Sequence, residues 1–119
     1  MPKKVLIVED NAPTRQLISS LVKASGHAPI EASDGYRALD LVKQHEIDAA
    51  LLDQYMEPMG GFELAKRLGF EGIKVPMILI TAHEKSDILI EAKDKGFLAV
   101  MKKPIDSDRL VKTLERLLR

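Results

Sequence analysis

Five short apolar runs, each followed by a stretch with helical spacing, limit what this 119-residue chain can fold into. The first, Val5-Leu6-Ile7-Val8, is β-branched and apolar on both faces, as a strand covered on both sides should be. The others are Ala28–Ala32, Ala49–Leu52, Met77–Ile80 and Phe97–Met101. Leu17, Ile18, Leu21 and Val22 mark a first helix, with Asn11 as its cap and Gly26 just past its end. Ser33-Asp34-Gly35 opens a second around Ala38, Leu39, Leu41 and Val42, and a third begins near Gly60 with Phe62, Ala65 and Leu68. Ser86 to Lys95 reads as a fourth, stopped by Gly96, with more apolar residues at Ile88-Leu89-Ile90 than one core stripe can absorb. Asp106 or Ser107 caps a fifth, in which Leu110, Val111, Leu114, Leu117 and Leu118 form an amphipathic stripe.

Strands alternating with helices predict a doubly wound α/β fold, a parallel sheet with helices on both faces. Right-handed crossovers leave few windings. Pro29 cannot donate to a ladder, so the second strand belongs at an edge, which favours the order 2-1-3-4-5. The chain carries no linker, repeat or low-complexity segment, and a single domain over 1–119 is expected.

Composition removes several functions. Lysine plus arginine and aspartate plus glutamate number 18 each, so no general charge draws the chain to nucleic acid or an anionic membrane. There is no cysteine, which excludes disulfides, thiolate chemistry and cysteine zinc sites. The opening MPKKVLIVED is too short in apolar residues for a signal peptide, and no run approaches the ~20 residues of a membrane span. A cytoplasmic location is the expectation.

In open parallel sheets, sites form beyond the carboxyl ends of the strands where strand order reverses. The first strand ends in Glu9-Asp10, the third in Asp53, the fourth in Thr81 and the fifth in Lys102-Lys103. Three clustered carboxylates repel one another unless a proton, a lysine or a metal offsets the charge. Magnesium favours oxygen ligands and one or two carboxylates, so Asp10 and Asp53 suit it, leaving one Asp53 oxygen free to attack phosphorus. A transferring phosphoryl group needs cations and donors around it, for which Thr81 and a strand-five lysine serve.

The segments VLIVEDN, ALLD, MILITA and MKKP, taken in order, resemble the receiver domain of two-component response regulators. The resemblance covers the whole chain and implies a flavodoxin-like sheet in the order 2-1-3-4-5 with five helices. It implies that Asp53 is the phosphoacceptor and that Asp10 is a direct Mg2+ ligand, with Glu9 acting through water and Tyr55 through its backbone carbonyl. Thr81 then matches the switch hydroxyl, Lys103 the phosphoryl-binding lysine, and Pro104 a proline after a cis peptide. The implied donor is a histidine kinase, phosphotransfer protein or small phosphodonor. The implied recipient is a downstream effector or fused output domain, with catalysis confined to the domain's own phosphorylation and dephosphorylation. By the same likeness Tyr55 and His83 line the approach to the acyl phosphate and tune its lifetime. The helix 4, strand 5, helix 5 face is a candidate for a partner or a phosphorylation-linked homodimer.

This chain departs from the family at four places. Val100 stands where an aromatic switch residue is usual, Glu57-Pro58 replaces a proline at 57, Gly60 replaces an acidic or small polar residue, and Lys95 and Phe97 flank Gly96 where small residues are typical. An aspartyl-phosphate phosphatase would need a second aspartate at position 55, where this chain has Tyr55. A flavodoxin-like cofactor domain would need a glycine-bearing phosphate loop, and EDNAPTR has none. An interaction module that signals without phosphorylation remains the alternative reading. His27 and His45 read as surface residues.

Overall fold

The computed structural model describes residues 2–83 and 85–118. Five strands and five helices alternate along it: β1 (Lys4–Val8), α1 (Ala12–Ala24), β2 (Ala28–Ala32), α2 (Gly35–Leu41), β3 (Ala49–Asp53), α3 (Gly61–Phe70), β4 (Met77–Thr81), α4 (Ser86–Asp94), β5 (Ala99–Lys102) and α5 (Ser107–Leu117). All strand pairs are parallel and the order is β2-β1-β3-β4-β5. Strand β2, with Pro29, lies at the edge as expected. No helix among the described residues is long and apolar enough to cross a membrane.

Strand side chains alternate between faces, and two core layers result. Leu6, Val8, Leu52 and Leu79 pack with Ala38, Leu64, Leu68 and Ala92, which come from α2, α3 and α4. Val5, Ile7, Leu51, Ile80 and Met101 pack with Ile18, Val22, Leu110 and Leu114 of α1 and α5. Strand β1 is therefore apolar throughout because each of its two faces meets a layer of helices.

Side-chain caps start α1, α2 and α5: Asn11 accepts from the Thr14 N–H, Asp34 from Arg37 and Asp106 from Arg109. The fifth helix is thus capped by Asp106 and not by Ser107. At α4, Gly96 takes φ +89°, its N–H donates to the Lys93 carbonyl and the Phe97 N–H donates to Ala92. Gly26 closes α1 in the same way, its N–H on Lys23 and that of His27 on Val22. A positive φ is cheap only for glycine, which is why these helices stop there. This closure also corrects the fifth strand. Phe97 is spent on ending α4 and is buried beside Phe62, ring centroids 5.9 Å apart, so β5 starts at Ala99 instead of Phe97.

The start of α3 differs from the others. Its cap, Gly60, has no side chain, and a Cβ there would lie 2.8 Å from the Gln54 carbonyl oxygen. The side chain of Gln54 does the capping from a distance: its Oε1 accepts from the Phe62 N–H at 3.0 Å. At Gly61 a Cβ would meet the Asp53 carbonyl oxygen at 2.7 Å and the Leu79 Cδ1 at 3.1 Å. Helix α3 therefore begins pressed against the end of β3.

Gly61→Ala should destabilise the fold by about 1–3 kcal/mol through this overpacking. Gly69→Ala, in the same helix with nothing within 4 Å of its added Cβ, should stabilise it by roughly 0.5–1 kcal/mol. Urea unfolding of the two variants checks both signs.

Candidate functional site

The sheet register itself makes the site. Val8 pairs with Leu52, so one step further Glu9 meets Asp53 across the β1–β3 boundary. Both continue the face of Ile7 and Leu51, the α1/α5 side. Lys103, two residues past Met101, has the same parity, whereas Lys102 has the opposite one and is exposed. Asp10 breaks the alternation: the chain bends there, and its carboxylate rejoins the other two. One carboxylate oxygen from each of Glu9, Asp10 and Asp53 lies within 4.8 Å of the others.

Glu9 and Asp53 are buried and Asp10 is open to solvent. The Lys103 ammonium sits between the buried pair, 2.6 Å from Glu9 Oε1 and 3.1 Å from Asp53 Oδ2. The second contact is a hydrogen bond. The first is an ion pair by distance alone, and Glu9 Oε1 has no hydrogen-bond partner among the described residues. Glu9 Oε2 accepts from the Asn11 N–H at 3.2 Å, and Asp53 Oδ1 from the Tyr55 N–H at 3.3 Å.

Burial pushes the Glu9 carboxyl above its usual range, and the neighbouring Asp53 carboxyl adds to the rise, which Lys103 only partly offsets. Partial desolvation raises Asp10 as well, followed by the hydrogen bond and the charge of Glu9. For Lys103, burial pulls the ammonium down, but its contacts with the Glu9 and Asp53 carboxylates and their charges outweigh that, and the net shift is upward. The lysine stays protonated at neutral pH.

With all three acids ionised, one ammonium leaves two negative charges uncompensated. An all-oxygen donor set and a residual charge of this size fit a hard divalent cation such as Mg2+.

Other predicted residues lie on β4, β5 and neighbouring loops. Thr81 is fully buried, and its hydroxyl is tied to its own loop, 3.1 Å from both the N–H and the carbonyl of His83. The Thr81 carbonyl accepts from the Lys103 N–H at 2.9 Å. Tyr55 and His83 are exposed and pack edge to face, centroids 5.9 Å apart. Val100 is half-buried against the α2/α3/α4 layer, and its carbonyl accepts from Arg109 at 3.3 Å. The Lys103-Pro104 peptide is cis, as the resemblance implies, and so is Glu57-Pro58. His27 is not a free surface residue: it is half-buried and its Nδ1 accepts from the Lys3 N–H. The capping role of Gln54 has no counterpart in the sequence reading, because it requires the glycine-capped start of α3 to be known first.

Residues 5–115 match the response regulator receiver domain. The chain belongs to that family. Over 110 residues it is 33% identical to sporulation initiation phosphotransferase F of Bacillus subtilis, covering 92% of this chain and 89% of that protein. Over 117 residues it is 34% identical to the polar-differentiation response regulator DivK of Brucella anthropi, covering 97% and 95% of the two. Among solved structures, the chemotaxis protein CheY4 of Vibrio cholerae superposes with a TM-score of 0.93 at 29% identity, over 99% of this chain and all of that one. The flavodoxin-like architecture and the receiver-domain resemblance are therefore both established. Receiver domains are signalling modules of two-component response regulators.

The upward shift of Glu9 has a measurable sign. A carboxyl raised on folding stabilises the receiver domain fully below its unfolded value near 4.5, and that stability is lost as pH rises through the folded value. Without metal, Glu9→Gln should match the parent near pH 4 and become the more stable protein as pH rises toward 8. Denaturant midpoints across that range check the divergence.

Proposed function

We propose that this receiver domain is a phosphorylation-dependent switch in which Asp53 accepts a phosphoryl group from a histidine kinase, a phosphotransfer protein or a small phosphodonor. The observation that carries the reading is the convergence of Glu9, Asp10 and Asp53 oxygens within 4.8 Å, with the Lys103 ammonium 3.1 Å from Asp53. Asp10, Asp53 and the Tyr55 carbonyl, with Glu9 acting through water, would hold Mg2+. When bound, the ion neutralises the carboxylates and the oxygens of an incoming phosphoryl group.

The chain's own residues do the rest. Tyr55 N–H and Lys103 Nζ hold one Asp53 oxygen each, which fixes the carboxylate's orientation before it reacts. An Asp53 oxygen forms the new bond to phosphorus while the donor's bond breaks and the leaving group keeps the electron pair. Lys103 then donates to a phosphoryl oxygen. For Thr81 to do the same, its hydroxyl must leave the His83 main chain, so phosphorylation trades one set of loop hydrogen bonds for another. This shifts an existing equilibrium between two loop packings. Hydrolysis of the acyl phosphate resets the switch, and the exposed Tyr55–His83 pair tunes how fast water reaches it.

Output takes a route that does not use an aromatic rotamer at position 100. Ile88 packs inward, whereas Leu89, Ile90 and Leu98 are exposed on α4 and the approach to β5. That apolar surface suits an effector, an output domain or a second copy of the chain.

Asp53→Asn should abolish acid-labile phosphate incorporation from acetyl phosphate and Mg2+, and labelling equal to the parent's would refute the assignment. Replacing Tyr55 or His83 by alanine should change the acyl-phosphate half-life more than its rate of formation. Pulse-chase decay of the labelled protein measures the two separately.

A further inference from the structure

Consecutive strand residues point to opposite faces, yet Glu9 and Asp10 both reach the same cluster. The peptide that joins them must therefore be turned out of strand geometry and held there. The preceding peptide is anchored to the edge strand, the Glu9 N–H donating to the Ala32 carbonyl at 3.1 Å. Its carbonyl oxygen accepts from Arg15 Nη1 at 2.8 Å, the sole hydrogen bond to that oxygen among the described residues. The guanidinium is itself oriented: Arg15 Nε lies 3.5 Å from Glu31 Oε1 on β2, and the nearly buried Ser19 hydroxyl donates to Glu31 Oε2 at 3.2 Å. The Arg15 side chain is 19% exposed and that of Glu31 40%, so the guanidinium is the better shielded partner of a pair at the rim of the sheet.

The geometry points to Arg15 as a positioning residue for the divalent cation, with Glu31 acting through it. Arg15 touches neither a carboxylate of the cluster nor the reacting atoms. It fixes the Glu9–Asp10 peptide, and with it the angle between the two carboxylates. Planar, two-pronged donation is what the role needs: one nitrogen serves the carbonyl while another faces Glu31. Lysine carries the charge without that fork. The inference rests on the acidic cluster being the Mg2+ site, as proposed above.

Mg2+ titration of the parent, Arg15→Gln, Arg15→Lys and Glu31→Gln, followed by calorimetry and by the Asn11 amide shift, tests it. Partners that orient metal ligands typically cost 10–100-fold in affinity when replaced, and Arg15→Gln should weaken Mg2+ binding about tenfold. Glu31→Gln should weaken it in the same direction by a smaller factor, and Arg15→Lys should restore only part of the loss. Saturating Mg2+ should bring the rate of Asp53 phosphorylation in all three back to the parent's. Unchanged Mg2+ affinity, with or without a lower melting temperature, overturns the positioning role and leaves the phosphoacceptor reading standing. If Arg15→Gln does not fold, the affinities of Arg15→Lys and Glu31→Gln decide. A parent protein that binds no Mg2+ at millimolar concentrations overturns both readings.

Discussion

Glu9 and Asp53 are carboxylates with almost no contact with water, set at the ends of adjacent central strands, and a single ammonium lies between them. Neither acid could be buried alone at acceptable cost, since an unpaired ion in a protein interior loses several kcal/mol of hydration. Lys103 offsets one charge and leaves the other exposed to Asp10. The apolar strands and the two helical layers hold that lysine and those acids in one place. The fold is thus built to carry an unresolved excess of negative charge at its carboxyl edge. A ligand that relieves the excess binds at the expense of that stored repulsion.

Much of this was legible in the residues. Element order, edge strand, helix stops at Gly26 and Gly96, and the carboxylates at the strand ends all follow from periodicity and turn chemistry. Alternation could also have separated Lys103 from Lys102, because counting from the inward Met101 places only Lys103 on the side of Asp53. What sequence did not reveal depends on contacts between distant segments. Phe97 has the side chain of a strand residue, but its N–H closes α4 on the Ala92 carbonyl. Gln54 and Arg15 are polar residues with no local pattern, and each matters because of a main-chain group that another element leaves without a partner.

The departures from the family pattern have different physical weight. Gly60 follows from packing: a Cβ there would strike the Gln54 carbonyl, and the capping oxygen comes from Gln54 instead. Val100 is seated against the core with no polar tip to report on Thr81. The Thr81 hydroxyl is bonded to the main chain of His83, whose ring packs edge to face with Tyr55, so the hydroxyl is linked to the two exposed rings through one residue.

The long-range cap on α3 sets a mechanical asymmetry. Gln54, adjacent to Asp53, grips the first turn of α3 through its side chain and accepts from Gly61 through its carbonyl, while Gly61 leaves no slack against β3. On the other flank α4 begins at Lys85 with no side-chain cap and buries only Ala92 fully. A load applied at the end of β3 therefore finds a stator on one side and a loosely seated lever on the other.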